Sequence, residues 1–352
     1  MINFEEKIQL QFLVNGEILL DEERAKLLLL IKKLGSILSA AKSLSIPYTR
    51  AWEHIMKMER IAGTRILEVK RGGRGGGGAK LTSEGLKLLN MYLRSYKNVF
   101  NRDLGIPEKL EFEKVTHIYA GSDDILLKHI FNILRKKGYR LESYIIGSIK
   151  GLASILLDEA ELAGIHLLDP DTGRYNTSYI KRYSAGVDLI LIRGYKRLQG
   201  FVTREKFEYT DIIDGLLNGK LRFVNRNPGS GTRILVDHIF NQILKDRGIE
   251  AKPENIIIGY RESVNTHLEV ASTVAEGKAD VGICIAPCAE YFNLNFIPVK
   301  WENFDFIIRS EDLEKPIIRK FIEVLKSEEV KNYVSSLSGY ELHEDTGNVI
   351  KI

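Results

Sequence analysis

The chain has 352 residues, 44% of them hydrophobic and 28% charged, with a formal net charge of +4. That length holds two or three domains, each able to bury its own core, and the composition excludes a disordered or fibrous protein. No apolar run approaches the ~18 residues of a membrane span, and residues 1–16 lack a basic stretch followed by an apolar core. No membrane partner and no signal peptide are therefore expected, and the expected location is cytoplasmic.

The charge is uneven. Residues 1–100 carry 17 Lys and Arg against 10 Asp and Glu, a net of +7, whereas residues 101–352 carry 34 against 37. A basic module joined to a near-neutral one is the electrostatic footprint of nucleic-acid binding. Cys284 and Cys288 have no second pair nearby, so they read as two small buried apolar residues rather than a metal site. No metal and no cofactor are expected.

Residues 12–20 carry an Asn-Gly turn between apolar flanks and predict a short hairpin. Asp21 is an N-cap, and Glu22 and Glu23 favour a helix over about 22–34 that stops at Gly35. Ser36 begins a second helical segment to Leu44, whose Ala40-Ala41 pair lets helices pack closely. Pro47 cannot continue that helix, so 45–47 is a tight turn. A third helix over 48–61 packs through Ala51, Trp52, Ile55, Met56 and Met58. A small-residue helix, a short turn and an amphipathic helix are the parts of a helix-turn-helix. Tyr48, Thr49, Arg50, Glu53, His54 and Lys57 are expected to project from the third helix toward base edges and phosphates.

Residues 69–82 hold six glycines and four cations, Lys70, Arg71, Arg74 and Lys80, with no acid. Glycine's backbone freedom suits a sharp bend or a close approach, and the cations make the approached group an anion. A nucleotide cradle requires Gly-Lys-Ser/Thr, but Ala79 precedes Lys80 and Leu81 separates it from Thr82. The flanks 66–69 and 79–82 read as paired strands, with Thr82 capping a helix from residue 84. The stretch is therefore read as a basic hairpin facing the DNA backbone.

Gly-Ser-Ile-Leu-Ser-Ala-Ala-Lys-Ser-Leu-Ser-Ile-Pro-Tyr-Thr-Arg-Ala-Trp-Glu-His-Ile followed by Arg-Gly-Gly-Arg-Gly-Gly-Gly-Gly-Ala-Lys-Leu-Thr-Ser-Glu-Gly resembles the N-terminal domain of the molybdate-responsive (ModE-type) regulators. It is similar, less closely, to the LysR-type winged helix. The resemblance covers roughly residues 13–96. It implies binding to double-stranded operator DNA as a homodimer or higher homo-oligomer, with 84–100 as the dimer helix; packing of that helix within its own domain is the other reading.

Residues 101–113 break helical periodicity and form a linker between a 1–100 domain and a 114–352 domain. Beyond it strands over 115–120, 140–146 and 162–167 alternate with helices over 123–136 and 151–159. Strands 187–194 and 198–203 follow with a break between them. The pattern restarts with helix 211–218, strand 221–224, helix 231–246, strand 256–260, helix 266–276 and strand 280–285. Strands 295–299 and 304–309 and a helix over 314–327 come near the end. Alternation of this kind means a mainly parallel sheet in two similar α/β halves, with ligand expected beyond the strands' carboxyl ends.

Those ends carry Ser122 and Asp123, Ser148, His166, the run Gly229-Ser230-Gly231-Thr232-Arg233, and Thr266 with His267. Free helix N–H groups and hydroxyls hold anions, although Ser and Thr are also ordinary caps. Asn-Pro-Gly-Ser-Gly-Thr-Arg is the sharpest of these signals. Ile234 stands where a dinucleotide fingerprint needs its third glycine.

His-Leu-Leu-Asp, Asn-Pro-Gly-Ser-Gly-Thr-Arg, Thr-His-Leu-Glu-Val-Ala-Ser-Thr-Val-Ala-Glu-Gly-Lys-Ala-Asp-Val-Gly and Gly-Tyr-Glu-Leu-His-Glu-Asp-Thr-Gly resemble a family of periplasmic-binding-protein-like domains. That resemblance implies a two-lobed type II α/β domain whose chain crosses between lobes twice, near 195–200 and 291–296. The expected architecture is thus multidomain: a mainly α winged helix-turn-helix followed by this effector domain. Where that family meets molybdate or tungstate, the resemblance implies hydroxyls and backbone N–H groups around the oxyanion, roles open to Ser122, Ser148 and Thr232. Asp123 and Asp124 depart from that pattern.

The expected function is a non-enzymatic transcription regulator sensing a small anion, molybdate or tungstate among the candidates. A molybdenum-cofactor or pterin biosynthesis protein is the alternative. Against it, the sequence offers no nucleophile–base pair, metal spacing or paired acid/base carboxylates.

Overall fold

The computed structural model describes residues 8–70, 78–106, 117–184 and 186–352. Two compact units divide the chain, one comprising Met1–Val115 with Leu156–Glu159, the other Thr116–Ile155 with Ala160–Ile352.

In the first unit, strands β1 (Phe12–Val14) and β2 (Glu17–Leu20) pair antiparallel around Asn15-Gly16. Both turn residues have positive φ, as a tight hairpin requires. Helix α1 (Glu22–Leu34) starts where the Asp21 carboxylate accepts from the Arg24 N–H and stops at left-handed Gly35. It buries Leu27, Leu28, Leu30 and Ile31, while α2 (Ile37–Ser43), capped by Ser36, buries Ile37, Leu38, Ala40 and Ala41. Pro47 precedes α3 (Tyr48–Ala62), and a two-stranded antiparallel ribbon, β3 (Leu67–Lys70) with β4 (Gly78–Leu81), follows. Thr82 then caps α4 (Ser83–Phe100). A Cβ at Gly85 would fall 2.3 Å from the Ile66 carbonyl, so only glycine lets α4 seat against the ribbon's root. Met56, expected to pack, is 60% exposed.

The second unit begins with β5 (Ile118–Gly121), α5 (Ile125–Lys136), β6 (Glu142–Ile145), α6 (Ser148–Leu156), β7 (Ala163–Ile165) and α7 (Thr177–Tyr183). The long strand β8 (Leu189–Thr203) leads to α8 (Tyr209–Leu217), β9 (Phe223–Arg226), α9 (Gly231–Asp246), α10 (Pro253–Ile256) and β10 (Ser263–Val264). Next come α11 (His267–Ala275), β11 (Val281–Ile285), α12 (Ala286–Tyr291) and the long β12 (Asn295–Arg309). Helices α13 (Pro316–Leu325) and α14 (Glu328–Ser335) and strands β13 (Tyr340–Leu342) and β14 (Val349–Lys351) close the chain.

The main sheet runs β10-β9-β11-β8-β12-β7, with β13 and β14 also pairing β8, and β5 and β6 pair separately in parallel. Strands β9, β10 and β11 are mutually parallel neighbours, but β8 and β12 are antiparallel to everything they touch. The sheet is therefore mixed rather than mainly parallel. Each of the two long strands has 15 residues, a span of about 50 Å at the usual rise. One end of β8 pairs β11 and the other pairs β14, while β12 continues to β7. Together they tie the lobe of β9–β11 to the lobe of β5–β7.

The expected break between 194 and 198 is absent, because Tyr195–Gln199 pairs continuously with β12 and β13. Residues 295–309 are likewise one strand, with irregularities between Pro298 and Lys300 and between Phe304 and Phe306. The strand expected over 256–260 is replaced by α10 and a turn. Its apolar residues still enter the core with Phe223 and Phe240, but Gly259 takes positive φ and breaks the extended run. Cys284 and Cys288 are buried free thiols, as read from the sequence.

Candidate functional site

Strand β5 ends at Gly121, where a Cβ would fall 2.7 Å from Gly164 backbone atoms; Gly151 lets α6 approach β5 just as closely. This tight packing brings the first residue of α6 to the ends of β5 and β7. The Ser122 and Ser148 hydroxyls lie 2.8 Å apart, and Ser148 Oγ accepts from the His166 N–H at 3.1 Å. Two hydroxyls sharing one mutual bond retain one O–H for another acceptor.

Neighbouring carboxylates take opposite roles. Asp123 pairs with Lys128 at 2.8 Å, while its Oδ1 makes no hydrogen bond among the described residues and its charge acts on Arg226. Asp124 caps α5 and accepts from Tyr195 at 2.5 Å, Tyr340 at 2.7 Å and Arg197 Nη1 at 2.8 Å. Arg197 and Gln199 lie two residues apart on β8 and share one face, opposite Glu302 of β12. Glu302 accepts from Arg197 Nε, Gln199 Nε2 and, at 2.8 Å, His166 Nδ1. Burial pushes the Glu302 pKa up, but Arg197 and His166 outweigh it and hold it at about 2. Burial holds His166 below its ordinary value against the pull of Glu302. A neutral ring meets a carboxylate through its N–H, which fixes the tautomer.

The other lobe supplies Arg226 at the end of β9. Its Nη2 donates to the Asn265 carbonyl at 2.7 Å, while Nε and Nη1 have no hydrogen-bond partner among the described residues. Burial, then the charge of Arg197, lowers its pKa to about 10. Gly229 has positive φ, and a Cβ at Gly231 would fall 2.2 Å from the His166 carbonyl. The start of α9 thus rests against β7's end only because that residue is glycine. Ser230 caps α9, and Thr232 is fully buried with an unpartnered Oγ1. His267 is buried with an unpartnered Nδ1, held neutral by burial and then by the charges of Arg226 and Arg197.

The facing strand ends therefore bring together Ser122, Ser148, His166, Gly229, Ser230, Gly231, Thr232 and His267. Three expected residues are not part of this group. Asp123 turns to Lys128. Arg233 pairs with Asp237 at 2.7 Å and lies over the Tyr260 ring, because the fourth residue along a helix is its natural partner. Thr266 is half-buried and closes a capping box with Glu269. Arg197, Gln199 and Glu302 escaped the sequence reading, and Arg226 and Asn227, which open the strand-end stretch it singled out, were given no binding role. The available signal was a charged or amide residue inside an otherwise apolar strand, which demands a buried partner.

In the first unit Tyr48 does not project from α3: it is 3% exposed and packs edge-on against Trp52. The reason is its place on the helix's apolar side with Ala51 and Ile55. Arg50 and His54 share Glu23, at 3.0 and 2.6 Å, and Lys57 and Lys80 are exposed. The side chains of Thr49 and Lys70, and the whole of Arg71 and Arg74, lie outside the described residues.

Among the described residues no helix is long and apolar enough to cross a membrane. The sequence pattern of the PBP superfamily domain matches residues 132–326. The uncharacterized protein YvgK of Bacillus subtilis (strain 168) is 30% identical over 230 residues, 65% of this chain and 70% of that protein. The transcriptional regulator ModE of Haemophilus influenzae is 36% identical over 86 residues, 24% of this chain and 34% of ModE, so the match spans about a third of that regulator. Among solved structures, a putative phosphate ABC transporter substrate-binding protein with bound phosphate from Clostridium perfringens aligns at 15% identity. Its TM-score is 0.47, covering 67% of this chain and 99% of that one.

Proposed function

This chain belongs to the PBP superfamily, and from that membership we propose that it is a ligand-responsive, DNA-binding transcription regulator whose effector is a small anion held between the two lobes. The observation that carries the effector reading is Arg226. A buried guanidinium with two unpartnered N–H groups, beside the unpartnered polar atoms of Thr232 and His267, is a desolvated cation lacking an ion-pair partner among the described residues. Buried charge of that kind is costly until an anion pairs with it. The N-termini of α6 and α9 converge on the same place and favour negative charge. A molybdate- or tungstate-type oxyanion and a related anionic metabolite are the candidates, and the ModE-like resemblance, which lies in the first unit, does not choose between them.

The DNA-binding reading rests on that same similarity together with the order α1-α2-α3-ribbon-α4 in the basic first unit. In it α3 enters the major groove with Arg50 and Lys57 outward, Lys80 on the ribbon faces phosphates, and α4 pairs with its counterpart in a homodimer. Effector binding closes the lobes and changes the spacing of two DNA-binding modules; the closed state must bind effector better than the open one for the coupling to exist.

The test is fluorescence-anisotropy titration of the full chain against double-stranded DNA at several salt concentrations, with and without oxyanion. Sequence-selective binding that weakens with salt and responds to the anion is expected. Affinity that is equal for all sequences and indifferent to every anion overturns the regulator reading.

A further inference from the structure

The cleft presents acceptors as well as donors. Gln199 is fully buried, and its Nε2 is used on the Glu302 carboxylate; turning the amide over would set oxygen against carboxylate, so the carbonyl's direction is fixed. Its Oε1 has no partner among the described residues, and neither has Asn227 Oδ1, next in sequence to Arg226. These oxygens belong to the cluster just described. Gln199 shares Glu302 with His166, on which the start of α9 rests, and the Asn227 carbonyl accepts from the N–H of Ser230, the cap of α9.

Charge points the same way. Arg197 lies between Asp124 and Glu302, and Arg226 brings the buried cations to two against those two carboxylates. Because the cluster is already balanced in formal charge, a bound dianion would leave twice the uncompensated charge of a monoanion. Asp124 and Glu302 already accept several hydrogen bonds, so neither is open to an ammonium group, and Asp123, ion-paired with Lys128, keeps Oδ1 as a further acceptor for a ligand's hydrogen.

We infer that the effector is a singly charged anion bringing its own neutral O–H donor, as a protonated oxyanion or hydroxy-carboxylate does, in preference to a bare dianion such as sulfate or molybdate. This inference rests on the reading of the cleft as an anion site. Arg226 and Thr232 take the negative group, and Gln199 Oε1 and Asn227 Oδ1 take the ligand's hydrogen. A ligand without that hydrogen sets lone pairs against those oxygens.

The experiment is calorimetric titration of the full chain with two matched pairs, inorganic phosphate against sulfate and glycolate against acetate, repeated on Arg226→Met, Gln199→Met and Asn227→Ala. At least one donor-bearing member is expected to bind about tenfold or more tighter than its partner, the worth of one hydrogen bond to a buried group. Arg226→Met is expected to abolish binding, and Gln199→Met or Asn227→Ala to bring the ratio within a pair toward one. Equal binding of both members of each pair, lost in Arg226→Met, overturns this inference and leaves the anion site standing. Failure of all four anions to bind, or binding unaffected by Arg226→Met, overturns both. Because the readout is a ratio, Asn227→Ala serves even if Gln199→Met folds poorly.

Discussion

Two buried arginines in one domain have opposite surroundings. Arg197, on the strand that joins the lobes, is ion-paired with Asp124 and Glu302 through Nη1 and Nε, with Nη2 alone making no hydrogen bond among the described residues. Arg226, at a strand's end, donates only to a carbonyl and keeps Nε and Nη1 unpartnered. Burial alone therefore does not mark a site. A charge whose partners are all protein holds the fold together, whereas a charge left without one is where a ligand belongs.

The sharpest way to break that contrast is Arg197→Met. It strands two buried carboxylates, and losing one partner of a buried pair costs roughly 3–5 kcal/mol. A large fall in Tm is expected, part of it restored when Glu302→Gln is added. A Tm near that of the unchanged protein would show that the crossing strands do not depend on this network.

Arg226→Met is the counterpart. Removing a cation that burial already disfavours should leave Tm unchanged or raise it, while anion-induced stabilisation in a thermal shift disappears. A drop in Tm comparable to that of Arg197→Met would place Arg226 in the structural class and dissolve the comparison.

How far the sequence reveals this contrast depends on where the chemistry is local. Helices α1 to α4 were legible because Asp21, Gly35, Pro47 and Thr82 punctuate them, and caps and turns act over three or four residues. The turn into α9 was legible too, since Gly229 supplies the positive φ and Ser230 the cap. The Tyr195–Gln199 stretch was not. Tyr195, Lys196 and Arg197 read as a break because the partners of Arg197, Asp124 and Glu302, lie 73 and 105 residues away. Arg226 was passed over for the same reason: whether a guanidinium lacks a carboxylate is a fact of tertiary structure. Tyr48 and Arg233 erred the other way, as polar residues assumed outward or cleftward whose side chains instead meet Glu159, 111 residues away, and Asp237, four residues on. Local rules failed chiefly around the polar cluster, where burial of charge overrides pattern.

Thr232→Val tests the contrast at one atom. The unpartnered hydroxyl gives way to a methyl of similar size, so Tm should hold or rise slightly. Anion affinity should fall about fivefold, the usual worth of one hydrogen bond of roughly 1 kcal/mol. A marked loss of Tm without change in affinity would make Thr232 a structural residue.

The smallest expected effect is in pH. The His267 ring lies well below its ordinary value of 6.5, through burial first and then the charges of Arg226, Arg197 and His166, all acting in one direction. An unfolded ring takes up a proton as pH falls through 6.5, while the folded ring resists until much lower pH. Below 6.5 the unfolded state therefore binds more protons, and stability present above that value is lost as pH falls toward the folded-state pKa. His267→Gln should flatten the decline of Tm below pH 6.5 relative to the unchanged protein. Arg226→Met should flatten it too, because one of the charges depressing His267 is gone, whereas Thr232→Val should not. A bound anion beside His267 favours its protonated form, so saturating ligand should shrink the same slope without any mutation. If ligand leaves the slope as it is while Arg226→Met flattens it, the anion does not reach the His267 side of the cleft, and Arg226 must hold it from the side facing Thr232.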